Sequence, residues 1–356
     1  MYDYDVIVSF ITAFSLTYFL IPSIVSVAIK KKLYDEPGKR RSHTVSTPRL
    51  GGIAIFAGVV FSVILWTPYA QYGDGLQYIL CAFILIFLVG VKDDIDAISP
   101  SKKLAMEIVA ASILVFKAGV KFSGLHGVMG IGEVPLLWCA LFSIFTIIVI
   151  INSLNLLDGI NGLSGSVGII ISGTIGIWFL LVGRHDLAIL ALSTAGATTA
   201  FLKFNFSPAK IFMGDTGALL IGLICSILVI KFIESNEQLE AINPFKISAA
   251  PAVAIGILIL PLFDTFRVFF MRVVKGQHPL HPDRTHIHHL LIDMGLTHMQ
   301  ATFALVFVNF LFIMLVFLLQ RYTDKAFFLI LLLGSIAALL SGGLFYSVKK
   351  RKISRS

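Results

Sequence analysis

Apolar residues run through this chain in blocks about as long as a bilayer is thick, broken by short polar stretches. A spanning helix needs roughly 20 mostly apolar residues. Eleven segments read as such, at approximately 6–29, 49–67, 76–91, 104–120, 135–151, 166–182, 187–202, 217–233, 250–268, 299–319 and 326–347. Several are short, so their ends are placed to within about four residues. The pattern predicts an all-α, polytopic integral membrane protein: one membrane-embedded domain over 1–356, without a transporter-like internal repeat or a separate soluble domain long enough to fold alone. Composition agrees, since 57% of the 356 residues are hydrophobic and only 13% charged, the balance of a chain whose main solvent is lipid. The first segment has Asp3 and Asp5 before it and Lys30, Lys31 and Lys32 behind it. It lacks the basic leader of a cleaved signal peptide and is expected to stay as a helix. Cys81, Cys139 and Cys225 fall inside apolar segments with no metal-ligand spacing and are read as buried small residues.

Charge sets the expected orientation. Six Lys/Arg lie in 30–48, three in 92–103, two in 203–210, four in 267–284 and five in 348–356, while 68–75 has none. With Arg49, 21 of the 28 basic residues fall on one side of an eleven-pass alternation. The positive-inside rule makes that side cytoplasmic, with the N-terminus outside and the C-terminus inside. Topology and contact with anionic headgroups of membrane lipids account for most of the net charge of +8, and no nucleic-acid partner is needed.

Five polar segments carry the candidate chemistry, near 30–52, 91–104, 152–165, 203–217 and 267–298, and the alternation puts all five on the cytoplasmic face. The first, KKKLYDEPGKRRSHTVSTPRLGG, combines turn residues and the pair Gly51-Gly52 with the cations Lys39, Arg40, Arg41, His43 and Arg49. It reads as a basic topogenic loop or as a phosphate-binding one. The second, VKDDIDAISPSKKL, gathers Asp93, Asp94 and Asp96 at the expected end of a helix, where acids oppose the macrodipole and contribute little to topology. A solvated acidic loop and a cation site or base are the two readings, with Lys102 and Lys103 nearby for an anion. In the third, NSLNLLDGINGLSG, Asn152, Asn155, Asp158 and Asn161 recur every three residues and offer oxygen ligands suited to a hard cation such as Mg²⁺. A cap and turn could use the same residue types, but need fewer of them.

The fourth segment, FNFSPAKIFMGDTGALLIG, sets Asn205, Lys210 and Phe212 around Asp215, which lies between Gly214 and Gly217. An ionisable group at the membrane edge is costly and marks a functional candidate. Asp215 is most simply a ligand for a metal that also holds phosphate. In the fifth, PLFDTFRVFFMRVVKGQHPLHPDRTHIHHLL, His286, His288 and His289 follow Asp283 and Arg284, with Arg267, Arg272 and Lys275 upstream. Zinc binding, phosphate binding and a structural loop are all readings of such a run. The arginines repel a cation and no cysteine is near, so the balance favours phosphate or diphosphate. Together the five segments offer what phosphoryl transfer from a nucleotide-activated donor to a lipid phosphate requires.

The five segments, in this order and spacing, resemble the polyprenyl-phosphate N-acetylhexosamine-1-phosphate transferases of the glycosyltransferase 4 family, relatives of the phospho-MurNAc-pentapeptide transferases. The motifs LYDEPGKRRSHTVSTPRLGG, DD, NLLDGINGL, FSPAKIFMGDTGALLIG and PDRTHIHHLL carry the resemblance over nearly the whole chain. It implies a multi-pass enzyme of the bacterial plasma (inner) membrane whose active site faces the cytoplasm. The enzyme would transfer N-acetylhexosamine 1-phosphate, GlcNAc-1-phosphate first among these, from a UDP-N-acetylhexosamine to undecaprenyl phosphate. Lipid-diphospho-sugar and UMP result, beginning a cell-envelope glycan. The implied cofactor is Mg²⁺, with Mn²⁺ as the alternative, and a homodimer would suit the family.

By motif, Asp215 and Asp158 are the implied metal ligands. Asp93, Asp94, Asp158, Asp215, His286, His288 and His289 are the implied catalytic set. His43, Arg49, Asn155, Asn161, Asn205, Phe212 and Arg284 are the implied substrate contacts. Two positions depart from the common pattern: Ala97 stands where many relatives have the third acid of DDXXD, leaving Asp96 a poor catalytic candidate, and Asn161 stands where many have Asp. The alternatives are a phospho-MurNAc-pentapeptide transferase, whose loop usually carries three consecutive histidines, and a transporter or flippase for a lipid-linked sugar, whose ionisable groups belong near the bilayer midplane.

Overall fold

A computed structural model describes residues 2–33, 47–68, 75–126, 128, 134–277 and 285–353. The described residues form α1 (Tyr2–Lys30), α2 (Gly51–Trp66), α3 (Leu76–Ile95), α4 (Pro100–Phe116), α5 (Leu136–Leu157), α6 (Leu163–Leu181) and α7 (His185–Asn205). They continue as α8 (Gly214–Gln238), α9 (Ala250–Ile257), α10 (Ile259–Val274), α11 (Ile287–Asp293), α12 (His298–Leu319) and α13 (Ala326–Ile353). Each of the eleven expected apolar segments falls on this helical framework. The chain is a polytopic, all-helical membrane protein.

The helices differ in how readily each would cross a membrane. Among the described residues, seven helices are long and apolar enough to cross a membrane, namely α1, α5, α6, α7, α8, α12 and α13. The segment expected as one helix over 250–268 is instead α9 and α10, bent by 78°, and makes an eighth span only if the pair counts as one. Pro261 explains the break: it has no N–H to give the Ile257 carbonyl and its ring crowds that carbonyl. Asn309 of α12 serves the opened backbone, accepting from Leu260 N (3.3 Å) and donating to Ile257 O (3.4 Å). Helix α2, at sixteen residues, is shorter than a full crossing.

Helix α8 is the axis of the bundle and is buried along almost its whole apolar length; it packs against α5, α3, α2 and α6. Helices α1, α12 and α13 lie outermost, where Phe19, Phe303, Phe307, Phe328 and Leu339 turn more than half their surface outward. Such a girdle of large apolar side chains is the surface lipid would cover. Cys139 and Cys225 are buried as expected, but Cys81 is exposed on the flank of α3, where a thiol sits comfortably against lipid.

Loops predicted for one face do meet at one end of the bundle. Gly51 N and Gly52 N, opening α2, donate to Phe212 O (3.0 Å) and Met213 O (2.9 Å), just before α8. A Cβ at Gly52 would lie 2.1 Å from Gly217 N, so these two helices meet backbone to backbone. Neither Gly52 nor Gly217 carries a side chain that would hold the two helices apart.

Candidate active site

The first turn of α8 supplies the centre. An α-helix begins with orphan N–H groups, and α8 has no capping side chain of its own. Asp94, from the last turn of α3, takes that role across the bundle. Its carboxylate accepts from Asp215 N (2.7 Å), Thr216 N (3.0 Å) and Thr216 Oγ1 (2.6 Å). A negative charge there also complements the helix dipole. Asp94 thereby fixes the backbone that carries Asp215.

Around Asp215 the remaining acids and one ammonium converge. Its Oδ1 accepts from Asn155 Nδ2 (2.6 Å) at the end of α5, and Oδ2 faces Lys103 Nζ of α4 at 3.1 Å. The same ammonium is 3.2 Å from Asp93 Oδ2, while Asp93 Oδ1 accepts from Ile98 N (2.6 Å). One lysine thus bridges two carboxylates from different helices. One turn along α4, Glu107 is only 1% exposed; it takes Asn152 Nδ2 (2.5 Å) on Oε2 and has no partner on Oε1. Asp96, the displaced third acid, is exposed and paired with Lys92 four residues earlier, outside this cluster.

Asp158 caps α5 and accepts from Ser164 Oγ at 2.5 Å; that hydroxyl also lies 3.6 Å from Met213 Sδ, just ahead of Asp215. Burial pushes the Asp158 carboxyl up to about 6, with the Asp215 and Asp94 charges adding to the rise and the Ser164 hydrogen bond opposing it. Asn161 donates to Ser207 Oγ (2.9 Å), and its carbonyl accepts from Thr302 Oγ1 of α12 (2.8 Å). Asn205 is buried with both polar atoms engaged on backbone, Oδ1 with Gly162 N (2.7 Å) and Nδ2 with Ile211 O (2.9 Å). It ties the third polar segment to the fourth. Phe212 donates its N–H to Pro48 O (2.7 Å), holding the first segment beside the fourth, and Arg49 is exposed next to them with its charge acting on Asp158.

The histidines form the opposite wall. Asp264, in α10, accepts from Ile287 N (3.0 Å) and Arg267 (3.0 Å) on Oδ1 and pairs with His286 Nδ1 (2.9 Å) on Oδ2. Arg267 also reaches Thr285 O at 2.5 Å. His286 stacks on His288 at 5.7 Å between ring centres, and His289 follows at 4.2 Å. His288 is 1% exposed, yet neither ring nitrogen has a hydrogen-bond partner among the described residues. Burial holds it neutral, its ionisation driven down to about 3, with the His289 charge acting in the same direction. A Cβ at Gly159 would lie 2.2 Å from His288 Nε2, so this ring presses on the backbone beside Asp158. The histidine wall and the acid cluster therefore share one boundary at the α5–α6 turn. His43 and Arg284 lie outside the described residues.

Sequence reasoning missed Asp264 and Glu107, acids set inside apolar runs, and it read Lys103 as serving an anion when it lies between Asp93 and Asp215. The oxygen donors suit a hard cation. Among the described residues no three Asp, Glu, His or Cys side chains are grouped closely enough to enclose a metal by themselves. Mg²⁺ asks for less, since one or two carboxylates completed by water and phosphate oxygens suffice. Asp215, Asp158 and Asn155 meet that requirement. The position of the Lys103 ammonium, within 3.2 Å of two carboxylates, marks a place where positive charge is favoured.

The fold and this site define a membrane-embedded enzyme class with acids and histidines gathered at one end of a helical bundle. The description "Glycosyl transferase family 4" matches residues 76–233, from α3 through most of α8. The chain is 30% identical to "Probable undecaprenyl-phosphate N-acetylglucosaminyl 1-phosphate transferase" of Bacillus subtilis (strain 168), over 86% of this chain and 83% of that one. It is 31% identical to "Decaprenyl-phosphate N-acetylglucosaminephosphotransferase" of Mycolicibacterium smegmatis (strain ATCC 700084 / mc(2)155), over 82% and 76%. Against "Undecaprenyl-phosphate alpha-N-acetylglucosaminyl 1-phosphate transferase" of Yersinia pestis it is 30% identical over 96% and 90%. The chain belongs to glycosyl transferase family 4.

Proposed function

We propose that this protein transfers N-acetylglucosamine 1-phosphate from UDP-N-acetylglucosamine to a polyprenyl phosphate, undecaprenyl phosphate being the simplest acceptor, and releases UMP. The observation that carries the reading is the meeting of Asp93, Asp94, Asp158 and Asp215 with Lys103 and the unpartnered His288 at one end of the bundle. The relatives' names support both the sugar phosphate and the class of lipid acceptor. In the reaction an oxygen of the lipid phosphate forms a bond to the β-phosphorus of the donor. The bond from that phosphorus to the bridging oxygen breaks, and UMP departs with the electron pair.

Each group has a role in this scheme. Asp215 and Asp158 would hold Mg²⁺, which when bound supplies charge neutralisation to the donor diphosphate. Asn155 orients Asp215, and Asp94 keeps the start of α8 in place. Lys103 holds Asp93 and Asp215 at a common distance, and Asp93 is positioned to orient the acceptor phosphate. His288, kept neutral by burial, offers an N–H to a phosphate oxygen, and the Asp264–His286 pair with Arg267 keeps α11 against the α5–α6 turn. The basic-residue alternation supports eleven passes, the N-terminus outside, the C-terminus inside and the site open to the cytoplasm of a bacterial inner membrane. That placement lets a cytosolic nucleotide sugar meet a membrane-held acceptor.

The test is UMP release by purified protein in detergent, given undecaprenyl phosphate and UDP-GlcNAc, with Mg²⁺ or with a chelator. UMP is expected only with acceptor, donor and Mg²⁺ together. Release that persists without the lipid acceptor, or none under the complete conditions from folded protein, would overturn the reading.

A further inference from the structure

The far end of the bundle breaks the charge pattern. Seven basic residues fall on that side of the alternation, and three of them, Lys117, Arg184 and Lys231, line a single cavity of about 370 Å³. It opens where the ends of α2 and α4 meet the starts of α3 and α7 and the side of α8. Positive charge is disfavoured on that face by the rule that orients the chain, so its concentration in one place calls for a cause.

Among the described residues, local partners do not account for it. Arg184 pairs with Asp186 (3.1 Å) and reaches Ser235 Oγ (3.1 Å). Lys231 donates to the Gly119 carbonyl (2.9 Å). Among the described residues lining the cavity Asp186 is the one carboxylate, and Arg184 holds it. Glu234, three residues further along α8, is engaged by His126 (2.7 Å) and Ser123 N (2.9 Å). Lys117 is exposed at the mouth.

An independent observation points the same way. Thr67 lines the cavity and is 7% exposed, and its Oγ1 is buried with no hydrogen-bond partner among the described residues. A buried hydroxyl left unpaired costs stability unless something in the cavity answers it. The rest of the wall, including Val63, Leu76, Ile79 and Leu190, is apolar. The cavity therefore offers three cations and a hydroxyl at one side and hydrocarbon at the other.

We infer that this cavity holds the phosphate headgroup of an anionic membrane lipid from the leaflet opposite the active site, with its first chain segments against the α2–α3–α7 wall. Charge complementarity selects the anion, and the apolar wall selects a lipid over a soluble phosphate. The size suits a headgroup, being within the range of ordinary ligand pockets. The inference stands apart from the transferase reading, because binding is read without turnover.

The experiment places full-length protein in phosphatidylcholine nanodiscs in which part of the lipid is phosphatidylglycerol, and counts the lipid retained on the protein by native mass spectrometry. Wild type should retain phosphatidylglycerol several-fold over its share of the disc, less so as salt screens the site. Thr67→Val and Lys117→Gln should each cut that excess at least twofold with unaltered thermal unfolding in phosphatidylcholine. Lys117 is exposed, so its variant carries the test if Thr67→Val fails to fold. Equal retention in wild type and the folded variants would overturn the proposal. Full displacement of the retained lipid by glycerol 3-phosphate would also overturn it, as that outcome assigns the cavity to a soluble phosphate.

Discussion

At the end of the bundle carrying His126 and Arg184, acids are matched with bases: Glu234 with His126, Asp186 with Arg184, Asp3 with His185. At the end carrying Asp215, carboxylates from α3 and α8 face one another across Lys103 with Asp158 of the α5–α6 turn in their field, beside a buried histidine with no hydrogen-bond partner among the described residues. Matched pairs are what a fold needs to satisfy polar groups. Like charges brought together in partial burial weaken the native state unless a ligand completes them, which is why such clusters mark function. The same chain thus keeps its paired acids and its clustered acids at opposite ends, about the thickness of a bilayer apart.

That separation can be broken from either side. The largest effect is expected at Asp215. Replacing it with Asn should lower UMP formation on the order of 10³-fold, while leaving the thermal unfolding of the detergent-purified protein nearly unchanged. Asp94 should behave differently, because three hydrogen bonds hold the start of α8 through it. Asp94→Ala should destabilise the fold by about 3 kcal/mol and lose activity through that route, so that its melting temperature falls where that of the Asp215 variant does not. At the other end, Glu234→Gln should cost about 1 kcal/mol through the weakened His126 contact and leave turnover of the folded protein intact. A variant there that abolished turnover without unfolding would dissolve the comparison.

The smallest effect concerns pH. An unfolded histidine takes its proton near 6.5, whereas His288 in the fold does so only at about 3 because it is buried. As pH falls below about 6.5 the unfolded state binds a proton that the native state refuses. Native stability from this residue is therefore complete above that pH and is lost progressively toward 3. A His288→Gln variant should show a shallower fall of melting temperature between neutral and mildly acidic pH than the wild type.

Much of this arrangement was legible in the sequence. Apolar block length located the helices, and the clustering of Asp, Asn and His between blocks located the loops that converge. The bend at Leu258 escaped notice, although Pro261, four residues after Ile257, was its visible cause and Asn309 its remote support. Asp264 and Glu107 were hidden because an isolated acid in an apolar run gives no periodic signal. Only the packing of α10 on α11 and of α4 on α5 reveals their partners. Lys103 could be placed near the acids by sequence, but its bridging of Asp93 and Asp215 depends on the meeting of α3, α4 and α8, which no local pattern encodes.

The central claim is that phosphoryl transfer, not sugar transfer alone, occurs at the Asp215 end. It is tested most directly with UDP-GlcNAc radiolabelled in its β-phosphate, purified protein and undecaprenyl phosphate, followed by extraction of the lipid. The account predicts that the label moves into the lipid fraction in step with UMP released to the aqueous phase. Label remaining in aqueous UDP while the sugar reaches the lipid would contradict it.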